Sequence, residues 1–228
     1  MLTITTWLWD QPGFRYKYTE NHVLTLKSML ERHTTVPFNF VCFSDREIEG
    51  VQTHPFQKLD LKSSKWPEYD QPQCFNRLWL FSEEAREVVG DRFVNIDLDV
   101  VILDNIDSIL TRKEEFLIAE GNSKRNGYNG SMWMMDTGVR RSVWDDLTQE
   151  GVGLACNQYV GSDQAWMRYK LGWGEKMLTE EDGVYSYHYS KRRFNMKKSP
   201  PEGCKIMFFA GREKTDHLNY KWIEDAYF

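Results

Sequence analysis

The run DRFVNIDLDVVIL at residues 91–103 is the most apolar stretch of the chain, and it carries two acids inside it, Asp97 and Asp99. A short, apolar, partly β-branched run of this kind reads as a buried strand. Side chains alternate along a strand, so Val94, Ile96 and Leu98 share one apolar face. Asp97 and Asp99 then point together to the other side, near the strand's carboxyl end, where open α/β sheets bind ligands. Two carboxylates held so close raise one another's pKa unless a cation neutralises them. Oxygen-only ligation suits a hard ion such as Mn²⁺ or Mg²⁺, completed by water and ligand oxygens. A D-x-D triplet alone also fits a strand end with solvated acids, and it is the apolar strand leading into it that favours a ligand site.

The flanking sequence places that strand in an α/β layer. Leu2–Trp9 is rich in β-branched and aromatic residues and predicts a first strand. Val23, Leu26, Met29 and Leu30 mark one face of a helix over residues 19–32. FNFVCF after Pro37 predicts a second strand and residues 51–56 a short third. The polar, twice proline-broken KSSKWPEYDQPQ is a loop. A helix is expected from about Gln73 to Val89, with Leu78, Phe81, Ala85 and Val88 at helical spacing and Gly90 as its stop. Later strands are expected at 115–119, 131–135 and 205–209, and helices at 139–149 and 163–170. Strands alternating with helices through the first hundred residues argue for a sheet layered with helices. The whole length reads as a single domain, with a nucleotide-binding half over about 1–110 and a smaller, loop-rich acceptor half over about 111–228.

Composition bounds the chemistry. The formal net charge is -5, which disfavours a nucleic-acid partner. The short basic run Lys191, Arg192, Arg193, Lys197 and Lys198 is an ordinary solvated loop, or a phosphate contact if it lies beside a site. No stretch approaches the roughly 18 apolar residues of a membrane span, and the opening MLTITTWLWD lacks the basic start of a signal peptide. Four scattered cysteines form no C-x-x-C pair, which fits a reduced, cytoplasmic setting. Nine tryptophans and eleven tyrosines serve equally as core or as stacking surfaces for sugars.

The ordered pieces CFNRLWLF, FVNIDLDVVILDNID, YNGSMWMMDTG, GSDQAWM and CKIMFFAGREK, spanning about residues 74–214, resemble the GT-A glycosyltransferases, nearest the glycogenin-like branch and small bacterial and phage-borne relatives. The resemblance implies a Rossmann-like mixed sheet and transfer of a hexose from a nucleotide-sugar donor, UDP above all, to an acceptor hydroxyl on a glycan, protein or small molecule. It implies that Asp97 and Asp99 hold Mn²⁺ or Mg²⁺ against the donor diphosphate. Thr5, Thr6 and Trp7 match the strand end that holds base and ribose. Arg77 and Lys214 match donor contacts, though each also suits a solvated surface cation. Asn129, Gly130 and Ser131 match the segment lining the sugar pocket. Asp163 and Gln164 match an acid-amide pair facing the transferred sugar; an acid at that helix start equally suits capping.

One departure is visible. Relatives often carry a histidine metal ligand in a pattern like F-H-G-x-x-K, where this chain reads Phe209-Ala210-Gly211-Arg212-Glu213-Lys214. His188, Asp216 and His217 are the candidates for a third ligand. IDLDVVI also resembles the signature of haloacid-dehalogenase-type phosphohydrolases, with Asp97 as nucleophile. A non-catalytic sugar-nucleotide or carbohydrate-binding module is the third reading.

Overall fold

The computed structural model describes residues 1–10, 16–63, 74–121, 127–209 and 213–228. Strand β1 (Leu2–Leu8) is buried beyond its first residue and pairs in parallel with β2 (Phe38–Ser44). A parallel pair needs a crossover, and α1 (Glu20–His33) supplies it, burying Val23, Leu26, Met29 and Leu30 as their spacing predicts. β3 (Gln52–His54) adds to β2. A 3₁₀ helix (Cys74–Phe81) and the one-turn α2 (Arg86–Val89) lead into β4 (Arg92–Ile96). Gly90, at φ 74°, ends α2 as expected and returns its N–H to the Arg86 carbonyl at 2.9 Å.

After β4 come β5 (Val100–Ile102), α3 (Asp107–Leu110), β6 (Phe116–Glu120) and β7 (Tyr128–Asp136). Helices α4 (Ser142–Asp145), α5 (Gln149–Gln158) and α6 (Asp163–Leu171) follow, then β8 (Met177–Leu178) and β9 (Val184–Ser186). α7 (Tyr187–Arg193), β10 (Ile206–Phe208) and α8 (Lys221–Ala226) complete the order. The described strands form a seven-stranded mixed sheet, β3-β2-β1-β4-β7-β6-β8, and a three-stranded one, β5-β10-β9. β7 runs antiparallel to both β4 and β6.

A large core lies on each face of the main sheet, so β4 is apolar on both sides: Val94 and Ile96 pack with α1, and Phe93 packs with Phe81, Phe116 and Trp133. Double-faced burial is what a central strand layered by helices requires.

Three expectations are corrected. The apolar run 91–103 is not one strand: β4 ends at Ile96, β5 begins at Val100, and the two belong to different sheets. The helix expected over 73–89 is a buried 3₁₀ segment followed by a single α-turn. The helix expected over 139–149 is one turn, α4, with α5 starting where it was to end. Most of the predicted loop KSSKWPEYDQPQ, residues 64–73, lies outside the described residues, as do residues 210–212. The basic run at 191–193 is the last turn of α7, where cations suit the helix dipole.

Candidate active site

Asp97 and Asp99 sit in the step from the first sheet to the second. The Asp97 N–H donates to the Ser131 carbonyl on β7 at 2.9 Å, and the Asp99 carbonyl accepts from Phe209 N–H at 2.8 Å, just beyond β10. Backbone bonds to both sheets therefore fix the triplet, leaving the two carboxylates to be met by different partners.

Arg77, from the buried 3₁₀ helix, reaches Asp97 with one guanidinium nitrogen and Asp163 with the other, the second contact at 2.5 Å. Its side chain is 6% exposed, and Asp163's is 4% exposed. The Trp133 ring lies beneath the guanidinium, 5.3 Å away. Burial works against the Arg77 charge, but Asp163 and Asp97 outweigh it and hold its pKa up. Asp163 is the first residue of α6, after N-cap Ser162; its carboxylate is bound to Arg77, not spent on capping. On the other carboxylate, Lys214 Nζ donates to Asp99 Oδ2 at 2.5 Å and to the Phe209 carbonyl at 3.3 Å. Lys214 is 4% exposed, so neither Arg77 nor Lys214 is a solvated surface cation.

Among the described residues, the three carboxylates Asp97, Asp99 and Asp163 are paired with two cations, Arg77 and Lys214, which leaves one surplus negative charge in these pairs. The strain shows at Asp97: burial pushes its pKa up, Arg77 opposes this, and Asp99 and Asp163 reinforce it. A divalent cation fits this donor set, which offers hard carboxylate oxygens and an uncompensated charge. Among the described residues no group of three or more His, Cys, Asp or Glu side chains could hold a metal ion. Of the candidate third ligands, His188 is exposed on α7 and accepts from Arg192 at 3.3 Å. Asp216 is hydrogen-bonded to the Tyr16 hydroxyl, on the Asp99 side of the site. The His217 side chain lies outside the described residues.

Gly130 lies between the two halves of the site. A Cβ there would stand 3.2 Å from Arg77 Nη2 and 3.3 Å from Asp163 Oδ2. Gln164 Oε1 accepts from Gly130 N–H at 3.4 Å, while its Nε2 donates to the Val160 carbonyl at 3.0 Å. Asn129 is buried, its Oδ1 accepting from Ser131 N–H at 3.0 Å. Arg77, Asp97, Gly130, Asp163 and Gln164, far apart in sequence, are thereby brought together. Thr5 and Trp7 are placed differently: both donate to the Asn95 Oδ1 oxygen, at 3.2 and 3.0 Å, inside the sheet. The Thr6 hydroxyl is buried without a hydrogen-bond partner among the described residues.

Sequence reasoning passed over Tyr16, Tyr18 and His22. Tyr18 donates to Asp99 Oδ2 at 3.1 Å, and Lys214 Nζ lies 5.7 and 5.5 Å from the Tyr16 and Tyr18 ring centres. The Thr19 N–H donates to His22 Nδ1 at 3.1 Å, so the neutral ring carries its proton on Nε2, facing Tyr16 Oη at 2.8 Å. Burial holds the His22 pKa down, against the pull of Asp216. The available signal was the Tyr-x-Tyr spacing just before a helix start, which alone names no partner.

No known protein family matches the chain by sequence, and no curated protein is significantly similar to it. Solved structures are similar in fold. The galactosyltransferase LgtC, solved with donor and acceptor sugar analogs, superposes with a TM-score of 0.61 at 10% identity, covering 98% of this chain and 96% of that one. The glycosyltransferase GlyE of Streptococcus pneumoniae TIGR4 gives a TM-score of 0.60 at 11% identity, covering 94% of this chain and 56% of that one. The architecture and the expected family resemblance agree: this chain has the GT-A glycosyltransferase fold.

Proposed function

We propose that this protein is a glycosyltransferase moving a hexose from a nucleotide-sugar donor, with UDP the expected nucleotide, to an acceptor hydroxyl. The observation carrying the proposal is the Arg77 bridge, which ties Asp97 to Asp163 across a backbone left open by Gly130. Residues 1–110 would serve the nucleotide and 111–228 the sugar and acceptor, the two sharing one sheet through the β4–β7 pair. A reduced, cytoplasmic setting suits the four free cysteines.

Cleaving a sugar nucleotide develops positive charge at the anomeric carbon and extra negative charge on the departing diphosphate. A divalent cation on Asp97 and Asp99 would supply Lewis-acid stabilisation of that leaving group. Arg77 orients Asp163 and adds positive potential on the Asp97 side; Lys214 does the same beside Asp99. Asp163 and Gln164 both lie beside Gly130, and in this reading they bind sugar hydroxyls and steady the anomeric carbon. Thr5, Thr6 and Trp7 support the nucleotide side from within β1, Trp7 stacked on Phe43 at 4.4 Å.

The GT-A fold sets aside the haloacid-dehalogenase reading, in which Asp97 is a nucleophile. The test is UDP release from a panel of UDP-hexoses with Mn²⁺, beside hydrolysis of p-nitrophenyl phosphate. Metal-dependent release that fails in Asp163→Asn is the expected result. Donor binding without release or transfer would make the protein a binding module, and phosphatase activity without UDP binding would overturn the proposal.

A further inference from the structure

The two cations that meet Asp97 and Asp99 are held in different ways. Arg77 spreads its guanidinium over two carboxylates, Asp97 and Asp163, and keeps one partner if the other is withdrawn. Lys214 has one carboxylate among the described residues, Asp99, and otherwise donates only to the neutral Phe209 carbonyl. A planar fork seated on two acids is fixed in place, whereas an ammonium on a flexible four-carbon stem can turn from one acceptor to another.

Lys214 nevertheless holds Asp99 closely. The pair measures 2.5 Å, and the two side chains are 5% and 9% exposed. Tyr18 donates to the same oxygen, Oδ2, at 3.1 Å, and the rings of Tyr16 and Tyr18 stand 5.7 and 5.5 Å from the ammonium. The backbone closes the unit: Phe209 N–H donates to the Asp99 carbonyl at 2.8 Å, and the Phe209 carbonyl accepts from Lys214. Asp99 therefore already has its counter-ion within the chain. A divalent cation on the same carboxylate meets an ammonium of like sign beside it, which opposes binding.

Withdrawing Lys214 with nothing in its place leaves Asp99 as a buried, unpaired charge, so the ammonium leaves only in exchange. A diphosphate completes that exchange. Its oxygens accept the ammonium, and Asp99, still oriented by Tyr18, is freed for the divalent cation.

We propose that Lys214 is an exchangeable counter-ion, held by Asp99 in the empty protein and passed to the donor diphosphate, so that nucleotide and divalent cation bind cooperatively. This deepens the glycosyltransferase reading and rests on it, since that reading brings a diphosphate to the carboxylates. The test is isothermal titration of UDP, without metal, into the full chain and its variants. Asp99→Asn releases Lys214 while its amide oxygen still accepts from Tyr18, and metal-free UDP affinity should rise about tenfold, within the usual range of coupling between sites. Asp97→Asn should gain less, because Asp163 still holds Arg77. Asp99→Asn combined with Lys214→Met, which buries neither charge of the pair, should lose the gain. In the nucleotide-free chain, Lys214→Met should bind Mn²⁺ about tenfold more tightly, read from the paramagnetic resonance of free Mn²⁺; the UDP titrations stand even where that variant is too unstable to use. Metal-free UDP affinity unchanged or lowered in a folded Asp99→Asn, a gain equalled by Asp97→Asn or surviving in the double variant, or unchanged Mn²⁺ affinity in a folded Lys214→Met would overturn the proposal. Failure of the glycosyltransferase reading would show separately, as absent UDP binding by the wild-type chain with Mn²⁺ as well as without.

Discussion

Replacing Arg77 by methionine removes the counter-charge of two carboxylates at once while keeping most of the apolar stem. The Arg77 and Asp163 side chains are 6% and 4% exposed, so their pair is screened little by water. Breaking a buried pair from one side costs about 3–5 kcal/mol, because the charge left behind is unpaired. For a chain of 228 residues, each kcal/mol lowers Tm by roughly 2–4 °C, so the expected drop is about 6–20 °C. The pH dependence follows from sign. Burial already raises the Asp97 pKa in the wild type, and losing Arg77, which lowers it, raises it further, so the folded variant binds more protons than the unfolded chain. Stability then falls as pH rises from the unfolded to the raised folded pKa, and the penalty is fully expressed only above the latter. The loss in Tm should therefore be larger near about pH 7.5 than near about pH 5. Arg77→Met with Asp163→Asn should recover part of it by removing the isolated carboxylate. Thermal unfolding by circular dichroism at the two pH values provides the check. A loss below about 1 kcal/mol, equal at both, is what an exposed pair would give and would refute the reasoning.

Further outcomes follow from the same geometry. Gly161→Ala should cost about 1–3 kcal/mol, because φ there is 106° and the new Cβ would lie 2.5 Å from Gln164 Cγ; an unchanged melting curve counts against the packing described. The same variant should lower kcat for UDP release more than it changes UDP affinity, since Gln164 faces Gly130; an equal effect on both would remove Gln164 from the sugar side. Burial pushes the Cys42 thiol up to about 12, so iodoacetamide at about pH 8 should leave it unmodified until the chain is unfolded; peptide mass spectrometry detecting its alkylation in the folded state would contradict this.

Much of the fold can be derived from residue patterns, because its elements bury faces at regular spacing. Val23, Leu26 and Leu30 announce α1, and Asp97 and Asp99 stand at the carboxyl end of a central strand, as their context predicts. What escaped has physical causes. Period-two alternation carries no signal for a change of sheet, so residues 91–103 read as continuous although the chain steps between sheets at Asp97–Asp99. Gly151 argues against α5 by propensity, yet its missing side chain admits Trp166, whose ring a Cβ would approach at 2.7 Å. The 3₁₀ segment buries Phe75, Asn76, Arg77, Leu78, Leu80 and Phe81, a run too uniformly enclosed for a helical face to specify its pitch. Arg77 and Lys214 each also suit a surface cation by sequence, because burial by distant chain is invisible locally. Tyr18 reaches the site through a long-range contact to Asp99, which no local pattern announces, and His22 is tied in through its neighbour Tyr16.

The most direct test of the central claim is isothermal titration of UDP into wild-type protein and into Asp97→Asn and Asp99→Asn, each with and without Mn²⁺. The account predicts UDP binding that Mn²⁺ strengthens in the wild type, with that strengthening lost in both variants while their melting curves stay cooperative. UDP affinity indifferent to Mn²⁺ in the wild type, or equally metal-dependent in the variants, would contradict it.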